Sequence, residues 1–194
     1  MPIGQENLPN PFLIVGVFAF SLAIVRVLST NIHELGHAFV GLMCLKGNFD
    51  LYIGSYGDPE KGKHFKIGRL RFHFIYAPLS LAQGVFVPQA QDTTHLKNFL
   101  ITLGGPMASL LSGVAYSCVI LFFPIPEVVM IAIYVLIGSS VMDFWYNIKP
   151  DPEPTELHNG NIVYNDGYLL KYAWSQMFGK QKQNDKEEAA QVVD

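Results

Sequence analysis

The segment HELGH at residues 33–37 carries the residue types needed for metal-dependent hydrolysis. On a helix, side chains four positions apart project from one face, so His33 and His37 can direct ring nitrogens at a single metal ion. Glu34 then lies beside the metal, where its carboxylate can accept a proton from water that the metal acidifies. The pattern predicts a zinc site with Glu34 as general base.

The motif lies in a segment that is almost uniformly apolar from Pro11 to Leu45. A chance HExxH pattern on a core helix is the alternative, since patterns of five residues have false positives. Two imidazoles and a carboxylate are costly in an apolar segment unless a metal, a partner or water satisfies them. The surroundings therefore favour the metal site.

The composition indicates a membrane protein. Half of the 194 residues are apolar, 15% are charged, and the mean hydropathy of +0.26 is unusual for a soluble domain. Three segments are long and apolar enough to span a bilayer: residues 11–45, 98–123 and 127–147. The first lacks the basic leading region and the cleavage site of a signal peptide, so we expect it to remain in the mature protein.

The basic residues predict the orientation. Of the thirteen Lys and Arg, all but Arg26 lie in residues 46–97 or after Asn147. Three spans place these two regions on one side, so the positive-inside rule predicts an N-terminus outside and a C-terminus in the cytoplasm. We expect a multi-pass protein of the bacterial cytoplasmic membrane.

This orientation places three short motifs, one from each span, at the same depth in the membrane. His37 precedes Lys46 by nine residues, or about 13 Å of helix, so the metal would lie nearer the cytoplasmic face. The second span begins at Asn98 and reaches Gly-Gly-Pro at 104–106 within two turns, and Asn147-Ile148-Lys149-Pro150 ends the third. This sequence predicts a helix kink with close backbone packing, and its glycines would let the backbone approach the metal site. A break in the helix here would also free backbone groups for a peptide substrate.

A zinc hydrolase needs a third protein ligand and an open position for water. Candidates are the histidines outside the motif and the carboxylates near or after the end of the third span: His64, His73, His95, His158, Asp143, Asp151, Glu153, Glu156 and Asp166. Spacing alone does not choose among them.

Three elements together resemble a known family. HELGH in the first span, LGGPMAS in the second, and Asn147-x-x-Pro150 followed by Asp166-Gly167 resemble the site-2 protease family of intramembrane zinc metalloproteases. The resemblance covers most of the chain, and the order and depth of the motifs fit it.

The resemblance implies a role for five residues. Zinc would be bound by His33, His37 and Asp166. Glu34 would be the catalytic base, and Asn147 would lie near the active site and orient the substrate.

The chain departs from the family pattern twice. An insertion at residues 151–164 separates the Asp-Gly pair at 166–167 from the Asn-x-x-Pro element, so Asp151 and His158 remain alternative third ligands. An ordinary turn is the alternative interpretation of this Asp-Gly pair. Ser109 stands where an asparagine is common in the family.

Residues 48–90 differ in composition from the apolar spans on either side. Their composition predicts strands and turns, with strands at 51–53, 70–74 and 84–88 and turns at 57–59 and at Gly62. We expect a small cytoplasmic β-sheet between the first two spans. It would cover the cleft as a lid, present an edge strand to an extended substrate, or do both.

Arg26 precedes His33 by seven residues, so it lies on the same helical stripe about 10 Å further from the cytoplasm. A charge at that depth needs a partner or water, so we expect Arg26 to face the bundle interior. It would there contact a polar group or the substrate. Asp143 is likewise expected to face inward.

The predicted fold is therefore a mainly α membrane protein with one zinc metalloprotease domain at residues 1–179. Three transmembrane helices, the small sheet and an interfacial helix at 168–178 make up this domain. Residues 180–194 are polar and charged and predict a disordered tail.

The predicted function is an intramembrane zinc metalloendopeptidase that cuts within or near a transmembrane segment. Its cofactor is Zn²⁺, and its partners are a membrane-spanning peptide or protein and the lipid bilayer, with no nucleic acid. The alternatives are a zinc-dependent membrane hydrolase of a non-peptide substrate and an inactive protease-like scaffold. Such a scaffold typically lacks the base, whereas Glu34 is present.

Overall fold

The computed structural model describes residues 11–54, 62–74, 84–89, 93–156 and 162–191. The helices in this part of the chain are α1 (Pro11–Cys44), α2 (His95–Phe122), α3 (Glu127–Ile148) and α4 (Asp166–Gln191). Between α1 and α2 lie the strands β1 (Phe49–Ile53), β2 (Lys63–Ile67), β3 (Leu70–Phe74) and β4 (Gly84–Pro88). A short hairpin of β5 (Thr155–Glu156) and β6 (Ile162–Val163) lies between α3 and α4.

Two of the described helices are long and apolar enough to cross a membrane: α2 and residues Val129–Ile148 of α3. Their bounds match the predicted spans at 98–123 and 127–147 to within three residues. The two helices pack through small residues, since the Ser112 and Ser140 hydroxyls lie 3.0 Å apart. The span predicted within α1 stays a prediction.

Helix α2 packs against α1, α3 and α4. Its contact with α1 is a direct contact of backbones, because a Cβ added at Gly104 would lie 2.7 Å from the Gly36 carbonyl oxygen. A Cβ at Gly36 would meet the Gly104 carbonyl in the same way. The predicted close packing of the glycines is therefore present, and it lies within the HELGH motif.

The predicted break at Pro106 is absent. Helix α2 is continuous through this proline, which is fully buried. A proline inside a helix lacks only its own N–H, so the carbonyl of Thr102 loses one intrahelical donor and the other backbone bonds are kept. Glycines, rather than an unwound segment, bring the backbone of α2 close to α1.

The larger sheet has the order β2-β3-β1-β4, with β1 parallel to β3 and the other pairs antiparallel. Phe49 and Leu51 of β1 are fully buried in the core that also contains Ala38 and Leu45 at the end of α1. Alternate side chains of a strand point to one face, so this apolar set fixes the sheet against α1. Arg69 adds two hydrogen bonds to carbonyl oxygens at the end of α1.

The three predicted strands are present as β1, β3 and β4, whereas β2 was not predicted. All five residues of β2 are exposed. Its sequence, KHFKI, has no buried face and so lacks the signal by which a half-buried strand is recognised. The turn predicted at 57–59 lies outside the described residues.

Helix α4 begins at Asp166 and continues to Gln191, whereas the sequence predicted a helix at 168–178 and a disordered tail from residue 180. The extension is rich in Gln, Lys, Glu and Ala, which are good helix formers. Leu170 and Ala173 are buried, and the rings of Trp174 and Phe99 lie 5.8 Å apart. These contacts hold the start of α4 against α2.

Candidate metal centre

His33 and His37 lie one helical turn apart on the buried face of α1, and only 6% and 7% of their surfaces are exposed. Their ring centroids are 4.8 Å apart, and their Nε2 atoms approach to 3.1 Å. The spacing of four residues thus brings one nitrogen of each ring to a common point.

Asp166 brings a carboxylate to the same point. Its Oδ2 atom lies 2.9 Å from Nε2 of His33 and 3.3 Å from Nε2 of His37. The three residues form a buried group that could hold a metal ion, with the ligand atoms all within 4.8 Å of one another. This is the ligand set that the resemblance implied.

The side chain of Asn165 explains how Asp166 reaches the histidines despite the insertion. Its Oδ1 atom accepts hydrogen bonds from the backbone N–H groups of Asp151 (3.0 Å) and Tyr168 (2.9 Å), while its Nδ2 atom donates to the Lys149 carbonyl (2.7 Å). Asn165 therefore joins both ends of the insertion and caps α4. The described ends of the insertion pair as β5 and β6, and the Asp-Gly pair begins a helix instead of forming a turn.

Gly167 completes this junction. A Cβ at Gly167 would lie 2.5 Å from the carbonyl carbon and oxygen of Lys149. Only glycine allows α4 to start so close to the end of α3, and this proximity sets the position of Asp166.

The surroundings of Asp166 favour its ionised form. Burial raises the pKa of this carboxyl, but the charge of His37 and the hydrogen bonds from both imidazoles outweigh burial and lower the pKa below its usual value. The carboxylate is therefore available as a metal ligand.

The outer nitrogens of the two imidazoles have different partners. Nδ1 of His37 lies 2.8 Å from the carbonyl oxygen of Ile101, which can only accept a hydrogen bond. The backbone N–H of Gly105 also approaches Nδ1, at 3.3 Å. The shorter contact with Ile101 assigns a proton to Nδ1, and a metal at Nε2 would displace the second proton of the charged imidazole. Nδ1 of His33 lies 3.2 Å from the hydroxyl of Ser109.

Glu34 is buried between α1 and the first residue of β4. A Cβ at Gly84 would lie 2.6 Å from Cγ of Glu34, so glycine is needed where the strand crosses the acidic side chain. The contact places the carboxylate beside the metal-ligand group, in the cavity that the group lines.

The cavity has a volume of about 590 Å³. It is bounded by α1, by β4, by the start of α2, by the end of α3 and by the β5–β6 hairpin. Asn147 lines it, and the Nδ2 atom of this side chain donates to the Asp143 carbonyl in its own helix (2.8 Å).

The other candidate ligands lie elsewhere or have other partners. Asp151 lines the cavity, but it is exposed and its Oδ1 atom accepts from the backbone N–H of Glu153 instead of joining the ligand group. His73 pairs with Asp50 at 2.8 Å in the sheet, and the rings of His64 and His73 lie 5.9 Å apart. The structure does not bring these residues to the two motif histidines, and His158 lies outside the described residues.

The remaining candidates are near the cavity or behind it. His95 and Glu153 line the cavity, and Glu156 is exposed in β5. Asp143 is buried behind His33, where it pairs with Arg26 at 3.0 Å. Arg26 thus has a partner, as expected, and this partner is a residue of α3. The Arg26 side chain is itself 58% exposed and lines the cavity.

Gly105 leaves the space that a metal ion would need. A Cβ at this position would lie 2.7 Å from Nε2 of His33 and closer still to Nε2 of His37. A methyl group there would face the two nitrogens at the point where they converge. The backbone of α2 therefore forms one wall of the candidate metal site.

We expect Gly105→Ala to weaken metal binding at least 10- to 100-fold, the range that loss of an outer partner alone produces. Metal content of the purified protein after dialysis against the divalent ion measures this loss. Gly138→Ala in α3 is the matched control, because a Cβ at Gly138 meets nothing within 4 Å. Equal metal content in the two variants would contradict the position assigned to the ion.

Comparison of the chain with family models, with curated proteins and with solved structures found no match.

Sequence reasoning missed two parts of the site. It identified Ser109 as a departure from the family pattern but gave it no contact, and it did not foresee that Gly84 touches Glu34. Ser109 lies about one helical turn after Gly105. Because the glycines contact α1, this spacing was the available signal that Ser109 also faces α1. No local pattern distinguishes Gly84 from other glycines in the loop.

Proposed function

We propose that the chain is an integral membrane zinc endopeptidase that hydrolyses a peptide bond in or near a transmembrane segment of its substrate. One observation carries the proposal: two imidazoles and a carboxylate converge beside a buried glutamate, in a cavity between membrane-type helices and a sheet edge. The family resemblance of the motifs supports the same function.

The donor set suits zinc. Tetrahedral Zn²⁺ bound at about 2.0 to 2.1 Å separates its ligand atoms by about 3.3 to 3.4 Å. The three separations among the donor atoms here are 2.9, 3.1 and 3.3 Å, within a few tenths of an ångström of that requirement. When bound, zinc would acidify a water molecule and polarise the scissile carbonyl.

The chain's own residues would move the proton. Glu34 takes a proton from the attacking water as the new carbon–oxygen bond forms, and it gives this proton to the amide nitrogen as the carbon–nitrogen bond breaks. The products are a carboxylic acid and an amine. Asn147, at the wall of the cavity, would hold the substrate backbone in position.

Strand β4 suits an extended substrate. It is an edge strand whose one partner among the described strands is β1, and its residues Gly84, Val85 and Phe86 line the cavity. A peptide paired with this edge would be held extended beside Glu34. This pairing is useful because a helical substrate shields its own carbonyl groups.

We place α1 in the membrane as a third span, with the N-terminus outside and the C-terminus in the cytoplasm. Large apolar side chains of α1 are exposed on the protein surface, including Phe18, Phe20, Phe39 and Met43. A bilayer would cover these side chains, which water would not.

The direct test uses the purified protein in lipid nanodiscs. Zinc content is measured by mass spectrometry, and a panel of labelled membrane-spanning peptides and labelled phospholipids is incubated in parallel. We expect about one zinc per chain and cleavage of peptides that a chelator stops and added zinc restores. A zinc-free protein would overturn the proposal, and cleavage of lipid alone would replace it with the non-peptide hydrolase.

A further inference from the structure

We propose that Asp143 is a positioning residue that acts through the Ser109 hydroxyl to fix the tautomer and direction of His33. Arg26 holds Asp143 in place. This inference rests on the proposed function only in requiring that a metal binds at His33.

The contacts form a directed chain of hydrogen bonds. The Arg26 guanidinium donates to Oδ1 of Asp143 at 3.0 Å, and the Ser109 hydroxyl donates to Oδ2 at 2.8 Å. A hydroxyl that donates to the carboxylate can only accept from the imidazole. Nδ1 of His33, 3.2 Å from the Ser109 oxygen, must then carry a proton, so Nε2, 2.9 Å from Asp166, is the nitrogen left to bind a metal.

Burial makes this chain specific. Asp143 is 4% exposed and Ser109 is 1% exposed, so water cannot readily replace either partner. Direct contact between Asp143 and His33 is too long for a good hydrogen bond, because Oδ2 lies 3.6 Å from Nδ1. The serine is therefore the connecting group.

The two histidines are fixed by different means. His37 donates to a backbone carbonyl, Ile101, which no side-chain substitution removes. His33 depends on side chains of α2 and α3, so its direction depends on how these two helices are aligned. About one turn from Ser109 on α2 and from Asp143 on α3, the hydroxyls of Ser112 and Ser140 form a 3.0 Å hydrogen bond. This bond fixes the alignment of the two helices.

The critical variant is Asp143→Asn, which keeps the shape of the side chain. Beside the donors of Arg26, the new amide must turn its oxygen to Arg26 and its NH₂ group to Ser109. Ser109 must then donate to Nδ1 of His33, which moves the imidazole proton to Nε2, the metal-binding nitrogen. We expect zinc affinity to fall about 10- to 100-fold, as for other partners of metal-bound histidines.

A second substitution makes the inference testable by rescue. In the double variant Arg26→Leu with Asp143→Asn, the amide is free to turn its oxygen to Ser109. Ser109 then donates to residue 143 again and accepts from His33. We therefore expect most of the lost zinc affinity to return. A role limited to the Arg26–Asp143 ion pair predicts unchanged zinc affinity in Ser109→Ala, because that variant keeps both charges in place.

Zinc affinity is measured by competition with a fluorescent chelator, on protein in nanodiscs whose fold is checked by circular dichroism. Ser109→Ala should also weaken binding, and it carries the test if Asp143→Asn fails to fold. Ser117→Ala is the control, since this hydroxyl of α2 donates to the Gly113 carbonyl of its own helix (2.9 Å) and does not contact His33. Unchanged affinity in Asp143→Asn or Ser109→Ala overturns the inference, whereas a zinc-free wild type overturns the proposed function.

Discussion

Replacing Glu34 by Gln is expected to abolish peptide hydrolysis and leave zinc bound. Glutamine has the size of glutamate, so the packing of residue 34 against Gly84 is kept. The amide cannot accept a proton from water, and loss of a general base costs about 10²- to 10⁴-fold in rate. Zinc content and cleavage of a labelled transmembrane peptide are measured on the same preparation.

The control for Glu34→Gln is Glu156→Gln, the same change at an exposed position in β5. We expect this variant to behave as the wild type in both measurements. Full cleavage by Glu34→Gln would remove Glu34 from the mechanism. Loss of zinc from Glu34→Gln would instead make the glutamate a ligand.

Replacing Asp166 by Ala is expected to release the metal. The carboxylate is one of three donors, and its loss leaves two imidazoles that hold zinc weakly in competition with water. The affinity should fall by more than about 100-fold, beyond the range seen when only an outer partner is lost. Competition with a chelator measures this change, and activity should disappear together with the metal.

Asp151→Ala is the matched control, because Asp151 lies at the other end of the insertion and was, with His158, one of the two alternative third ligands in the sequence. We expect it to keep zinc. Asp166→Asn separates the ligand role from folding, since asparagine also suits the start of a helix. Zinc binding that survives in Asp166→Ala and fails in Asp151→Ala would reverse the assignment.

Helical periodicity alone predicted the pairing of His33 and His37, because their contact is one turn of a single helix. The expectation that Arg26 has a partner followed from the cost of an isolated charge on the same stripe, and the partner is Asp143. The bounds of α2 and α3 followed from the length of apolar runs flanked by polar residues. These predictions needed only local geometry and the cost of burying polar groups.

The third ligand could not be chosen from spacing, because its position depends on tertiary contacts. The side chain of Asn165 hydrogen-bonds to the backbone of Lys149 and of Asp151. These bonds bring the end of α3 next to the start of α4 although fourteen residues are inserted between them. No pattern in the sequence reveals that closure. The pairing of Ser109 with Asp143 likewise depends on the relative alignment of two helices, and β2 shows no alternation because all its side chains are exposed.

The contact of Gly36 with Gly104 has a mechanical consequence. The approach is closest at these two glycines and continues on either side, where His37 contacts the Ile101 carbonyl and His33 contacts Ser109. A shift of α2 relative to α1 would therefore displace the partners of both imidazoles at once. The geometry of the candidate metal centre thus depends on the spacing between these two helices.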